Sequence, residues 1–319
     1  MDEFELIKNY FQKISKNNPS AKKLNDDVFF DKKNKLVVSV DTYNEGVHFP
    51  NFKYPSLVIK KIVRSSISDL IAKGVKPEYY FISGSGNKNQ FTKKNLKMIS
   101  KSLNQEQKKY NLKLSGGDTT NSNKVSFTIT SIGFSKNIIE RNKAKLDDDI
   151  YVTGNIGDSF IGLKLIKNNI KINSKLKSYF TNKFYCPDLP YKIYKHMHKF
   201  ANTSMDISDG LSSDMIKLIN KQKLSFEIDV NKIPTSKNFE VYLKKYKKLR
   251  IHYLFNGDDY QLLFTASKKN RSMIKLIGNK MNQKITRIGK INNVYKKNLI
   301  IMDNKPQNLT NIKGYAHKF

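Results

Sequence analysis

Several aspartates of this chain stand where an aspartate is costly. Asp41 closes the β-branched run Lys35-Leu36-Val37-Val38-Ser39-Val40, Asp69 lies between Ser68 and the apolar Leu70-Ile71, and Asp206 ends an apolar stretch through Met205. Asp26 and Asp27 precede Val28, Asp118 follows Gly116-Gly117, Asp209 precedes Gly210, and Asp258 and Asp259 follow Gly257. A carboxylate closing a strand is a poor strand former and needs a cation or a donor once it leaves water. Neither His nor Cys accompanies these aspartates at ligand spacing, so their convergence suits a hard cation with oxygen ligands, magnesium above all. Ordinary roles stand beside this one: Asp209 as the cap of the following helix, Asp69 on a solvated helix face, and Asp26-Asp27 as a plain turn. Asp147 to Asp149 read as surface charge.

Glycine turns supply the other half of a phosphate site. Ser115-Gly116-Gly117-Asp118-Thr119-Thr120 lets backbone amides approach phosphate oxygens while the aspartate reaches a bridging metal. Thr153-Gly154-Asn155-Ile156-Gly157 offers a second amide-rich entry to a helix. No Gly-Lys-Ser/Thr follows either turn, which excludes the Walker phosphate loop, and no dinucleotide fingerprint is present. Gly84-Ser85-Gly86 reads as a flexible turn.

The elements that must position these groups follow from periodicity. A strand is expected over 35–41 and a helix over 56–73, where Leu57, Val58, Ile62, Val63, Ile67, Leu70 and Ile71 repeat at helical spacing before Gly74 and Pro77. A helix over 92–109 and a strand over 125–134 complete the first half. After a charged turn at 145–149 come a strand at 150–153, a helix through Ile161 and Leu165, and a helix near 190–201. Further on, a strand enters 205–207, helices cover 211–221 and 269–281, and strands lie near 224–230, 260–266 and 284–303. The pattern is α/β of the α+β type in two halves, divided as residues 1–145 and 146–319.

Bulk properties narrow the function. The 319 residues carry 59 Lys and Arg against 27 Asp and Glu, a net charge of +32. That excess invites a nucleic-acid reading, but arginine occurs only at 64, 141, 250, 271 and 287, and the lysines are scattered in surface segments as pairs without a block. A single cysteine, Cys186, excludes an intramolecular disulfide framework. No basic stretch precedes an apolar core at the N-terminus and no apolar run approaches the roughly 18 residues of a membrane span, so a cytoplasmic protein is expected, without membrane or nucleic-acid partners.

Taken in order, the motifs resemble the thiamine-monophosphate kinase family, within the wider superfamily of aminoimidazole ribonucleotide synthetase. The matching segments are Asn25-Asp26-Asp27, Ser39-Val40-Asp41-Thr42, Glu45-Gly46-Val47-His48-Phe49, Ser68 to Gly74, Gly116 to Thr120 and Tyr151 to Gly154. Asp206 to Leu211, Gly257-Asp258-Asp259-Tyr260 and Lys313-Gly314-Tyr315 follow. The resemblance implies an N-terminal mixed sheet with helices that dimerises, and a C-terminal α/β sandwich-like domain closing over the nucleotide. It implies direct, magnesium-dependent transfer of a phosphoryl group from ATP to thiamine monophosphate, giving the diphosphate without a phosphoenzyme. Carried over residue by residue, Asp27, Ser39, Val40, Asp41, Asp69, Asp118, Asp206 and Asp209 hold several magnesium ions. Gly117, Asp118, Arg141 and Ser208 contact ATP; Asp118, Asp206 and Arg141 carry the catalysis; His48, Asp258 and Ile312 face the acceptor.

The chain departs from the family's pattern in four places. Lys23-Leu24-Asn25 stands for a glycine turn, Val40 for a threonine, Asp258 for a glutamate, and Ile312 for an aromatic residue. Another ATP-using kinase or synthetase of the superfamily with a different small acceptor is the nearest alternative, and a lysine-rich nucleic-acid-binding protein the remote one.

Overall fold

The computed structural model describes residues 3–295, 297–307 and 314–315. After α1 (Glu3–Leu6) and further short helical turns come β1 (Phe29–Asp31), β2 (Leu36–Asn44), α2 (Pro55–Ala72), β3 (Pro77–Gly86), α3 (Lys93–Tyr110), β4 (Lys113–Gly116), β5 (Thr119–Asn121) and β6 (Ser126–Phe134). Among the described residues these strands make a mixed sheet in the order β1-β2-β6-β3-β4, with β5 also on β3. The second half runs β7 (Asp149–Thr153), α4 (Asp158–Ile166), α5 (Ser174–Tyr185), α6 (Tyr194–Met197), β8 (Ala201–Asp206), α7 (Leu211–Leu218), β9 (Leu224–Asp229), α8 (Lys237–Tyr246) and α9 (Ile251–Leu254). It continues with β10 (Leu262–Ala266), α10 (Arg271–Met281), β11 (Ile285–Asn293), β12 (Leu299–Met302) and β13 (Lys305–Gln307). Its sheet is ordered β13-β12-β9-β11-β7-β10-β8.

Helix α2 is the hinge pin of the packing. Proline at its first position suits a helix start, where no amide hydrogen bond is lost, and Gly74 at φ +74° ends it by letting Val75 N–H return to Leu70 C=O at 2.9 Å. It is buried nearly all round, because it lies between the two sheets. Alternate residues of β2 and β6, including Tyr43, Phe127 and Ile129, meet it from one side, and Tyr151, Leu262 and Phe264 of the second sheet belong to the same core. The intervening residues Ile150, Val152 and Leu263 point the other way, into a second core with α4, α5, α7 and α8. The opposite face of the first sheet has no such cover among the described residues: Val40, Phe81 and Phe134 are exposed.

Several sequence expectations are corrected. Gly84-Ser85-Gly86 is the end of β3, paired with β5 and β6. The helix expected over 190–201 is a 3₁₀ turn followed by the four-residue α6. Asp148 and Asp149 are buried: Asp149 takes a fork of hydrogen bonds from Arg271 at 2.6 and 2.8 Å, and Asp148 accepts from Asn202 and Thr265. Lys61 and Lys73 are buried in or beside α2, so not every lysine belongs to the surface.

Arg64 and Glu106 join α2 to α3 through a buried bidentate pair at 2.8 and 3.0 Å, and Arg64 Nη1 reaches Pro187 C=O at 3.1 Å. Glu106→Gln leaves that guanidinium without its counter-charge and is expected to cost about 3 kcal/mol. Urea unfolding of the variant and the parent measures it; coincident midpoints would show that the pair contributes nothing.

Candidate active site

An open cleft of about 850 Å³ lies where the edge of β2, helix α2 and the C-terminal ends of β8 and β10's partner loops meet. Its walls include Asp26, Asp27, Val40, Asp41, His48, Asp69, Arg141, Asp206, Ser208, Asp209 and Asp258. The sequence thus places most of its singled-out residues in one site, although they come from segments more than 200 positions apart.

At the centre are Asp41 of β2, Asp69 of α2 and Asp206 of β8. Their nearest partners are hydroxyls: Tyr43 donates to Asp41 at 3.3 Å, Ser39 to Asp69 at 2.5 Å, and Ser68 to Asp206. Among the described residues no lysine or arginine forms an ion pair with any of the three; the cations nearby are committed to Asp26, Asp27 and Asp209. Burial raises all three carboxyls, Asp41 to about 7 and Asp206 to about 6, and for Asp69 the charges of Asp41 and Asp206 add to it. Such a set fits a divalent cation. No group of three His, Cys, Asp or Glu side chains among the described residues is placed to hold a metal ion unaided, so an ion at these carboxylates would need further oxygens from substrate phosphates.

Two other acidic groups are already neutralised. Asp27 is gripped by Arg141 through Nε and Nη2, and Lys73 Nζ sits 2.7 Å from Asp26 and 2.6 Å from Asp27. Asp209 pairs with Lys217, which also lies 3.2 Å from Asp214. The cap expected of Asp209 is made by Asp214 instead, whose carboxylate accepts from the amides of residues 209 and 210.

Toward the other end of the cleft, Asp258 stands in a left-handed conformation at φ +70° behind Gly257, whose missing side chain leaves room for the Ser208 carbonyl. Its carboxylate meets Lys61 Nζ and, at 3.2 Å, the Tyr260 hydroxyl. Lys61 lies 3.9 Å above the Phe184 ring; burial lowers its basicity, opposed by Asp258. Sequence reasoning passed over Lys61, Lys73 and Lys217, yet Lys61 interrupts the apolar stripe of α2 and could have been found there. His48 accepts the Asn44 amide on Nδ1 at 3.0 Å and meets Tyr43 edge-on. Tyr315 N–H reaches Asp209 C=O at 2.8 Å, which brings residues 314 and 315 to the wall, while Ile312 lies outside the described residues.

Not every expected residue joins the cleft. Ser39 is buried behind Asp69, and Val40 contributes its backbone while its side chain is exposed on the outer sheet face. Gly117 and Asp118 are exposed beyond β3: a side chain at 117 would strike Ile82 C=O. Asp41, Ile129 and Ile82 face one another across β2, β6 and β3. Gly117 is therefore about 14 Å from Asp41, three strand spacings away. The amide of Gly157, expected at a phosphate, donates to Asp259 at 2.9 Å, in a separate recess.

Two sheets clasping one helix above a carboxylate cleft agree with the class described as AIR synthase related protein, N-terminal domain, whose profile matches residues 25–135. The thiamine-monophosphate kinase of Buchnera aphidicola subsp. Acyrthosiphon pisum is 34% identical over 99% of this chain and 98% of its own. The solved structure of AaThiL complexed with AMPPCP and TMP superposes with a TM-score of 0.85 at 30% identity, covering 99% of this chain and 97% of that one. A second, the thiamine monophosphate kinase of Aquifex aeolicus, gives 0.79 at 29% identity over 96% and 99%. The chain belongs to the thiamine-monophosphate kinase family.

The raised carboxyls carry a sign. Between its unfolded value and about pH 6 folded Asp206 holds a proton that the unfolded chain has released, so its burial lowers stability as pH rises through that window. In chelator, Asp206→Asn is expected to stabilise the protein by about 1–3 kcal/mol above pH 6, the gain fading as pH falls toward 4. Denaturant titrations at pH 5 and 8 read it; a variant less stable than the parent at pH 8 would refute the account.

Proposed function

We propose that this protein transfers the terminal phosphoryl group of ATP directly to thiamine monophosphate, forming thiamine diphosphate and ADP. The observation that carries the reading is the uncompensated trio Asp41, Asp69 and Asp206 in the cleft of a chain of this family. A nucleoside triphosphate and a phosphate monoester do not enter a carboxylate cleft unaided. Asp41, Asp69 and Asp206, with the Val40 carbonyl at the edge and Ser39 orienting Asp69, would hold magnesium, which would supply the countercharge that phosphoryl transfer requires. The chain's own task is alignment: Arg141, held by Asp27 through Nε and Nη2, keeps Nη1 for a phosphate oxygen, and Ser208 lines the wall beside it. At the other end, His48 and Asp258 receive the acceptor, with Asp258 held by Lys61 so that a ring amine of the acceptor meets an oriented carboxylate. No general base is needed, because the attacking oxygen belongs to an already ionised phosphate.

A homodimer is part of this reading. The outer face of the first sheet exposes Val40, Phe81 and Phe134, apolar side chains of the kind that seek a partner, and Gly117 and Asp118 stand at its far side. Stacking of two such faces brings Asp118 of one copy to the nucleotide of the other. Residues 1–145 and 146–319 are taken as its two domains. A cytoplasmic location accords with the buried free thiol of Cys186 and with the absence, among the described residues, of a helix long and apolar enough to cross a membrane.

The test is purified protein with magnesium, ATP and thiamine monophosphate, with mass analysis of the product. Thiamine diphosphate supports the reading, and ATP binding without it would refute the acceptor. Asp118→Asn is expected to fold normally, since the residue is exposed, and to lose at least about a hundredfold in turnover. Mixing the Asp118→Asn and Asp206→Asn proteins should restore roughly a quarter of the sites if the aspartate acts across subunits; no recovery in verified heterodimers would sink the shared site.

A further inference from the structure

We infer that Lys73 is a fixed cation buried behind the cleft wall, whose ammonium holds the Asp26 and Asp27 carboxylates in the place of a divalent ion. Lys73 follows α2 and is completely buried. An ammonium has three N–H groups, and all three have an oxygen: Asp26 Oδ1 at 2.7 Å, Asp27 Oδ2 at 2.6 Å and Ser204 C=O at 2.9 Å. The oxygens of Asp26 are further committed to the amides of Asp27 at 2.9 Å and Arg141 at 3.0 Å. Those of Asp27 go to Arg141 Nε and Nη2. Two carboxylates, one ammonium and one guanidinium make a neutral quartet with little valence left for a metal.

The contrast with the trio beside it is what gives this arrangement meaning. Among the described residues, Asp41, Asp69 and Asp206 meet only hydroxyls and leave their oxygens to an incoming cation, while Asp26 and Asp27 are neutralised by side chains of the chain itself. Lys73 also joins the segment before β1 to the C=O of β8, so one charge both fixes the Asp27–Arg141 pair and ties the two halves together. The expected ligand role of Asp27 is thereby replaced by a positioning role for Arg141. The inference deepens the reading of the cleft as a metal-assisted phosphoryl-transfer site, but its test uses no turnover.

The experiment compares the full-length protein with Lys73→Met in chelator and in magnesium. The variant should melt about 5–10 °C below the parent in chelator. Magnesium should raise its melting temperature by several degrees more than it raises the parent's, and manganese titration by electron paramagnetic resonance should count one more ion in the variant. Equal gains and equal counts would overturn the proposal, leaving Lys73 a structural ion-pair partner only. Should Lys73→Met not fold, Asp27→Asn in the parent decides: the number of manganese ions bound with a non-hydrolysable ATP analogue should stay unchanged, and the loss of one ion would overturn the assignment. A protein that shows these counts but makes no thiamine diphosphate would keep the Lys73 assignment and lose the acceptor.

Discussion

Like charges that share a low-dielectric cleft repel, and Asp41, Asp69 and Asp206 are held together against that repulsion. Desolvation raises all three carboxyls, and at Asp69 the neighbouring charges of Asp41 and Asp206 add to it. The outlay is met elsewhere, by the aromatic and aliphatic core around α2 and by the cross-links that pass through it. Arg64 with Glu106, Lys61 with Asp258 and Lys73 with Asp26 and Asp27 all radiate from this helix and its end, each to a different region of the chain. A site short of positive charge is thus mounted on a scaffold whose buried cations are already spoken for.

This division explains why a chain of net charge +32 presents an acidic centre. Among the basic side chains that line the cleft, Arg141 and Lys217 are each engaged by a carboxylate, while Lys167 stands exposed at its rim. Positive charge in the surroundings and negative charge at the centre favour a ligand that arrives as an anion carrying divalent cations. Neither a bare polyanion nor a bare metal ion satisfies both.

Much of the site was legible because the penalty for misplacing an aspartate is large. Asp41, Asp69 and Asp206 break apolar runs where ordinary strands and helices carry none, and the structure gathers all three. The helix over 56–73 was equally plain from its period. What stayed hidden depends on pairing rather than pattern. Nothing local to Asp27 or Asp209 tells that Lys73, Arg141 and Lys217 have taken them. Nothing in Asp147 to Asp149 reveals that Arg271 will bury Asp149, since the partner lies 122 positions away. The glycines at 84 and 86 mimic a turn locally, while the ladder to β5 and β6 that overrides this preference is set by distant residues. The position of Asp118 relative to Asp41 follows from strand order, which a single sequence does not display.

The order in which the cleft's parts are joined has a consequence for folding kinetics. Ser39 meets Asp69 across 30 positions, within the first sheet and its helix, whereas Ser68 meets Asp206 across 138 and Lys73 meets Ser204 across 131. Contacts of such separation form late, because the entropy of closing the long loop must be met before they return any stability. The closure that brings Asp206 to Asp41 and Asp69 is therefore also one that desolvation and like charge oppose. Cations or their nucleotide complexes, bound at that seam, would act as assembly factors as well as reactants, and the seam is where native-state hydrogen exchange should find the chain opening first.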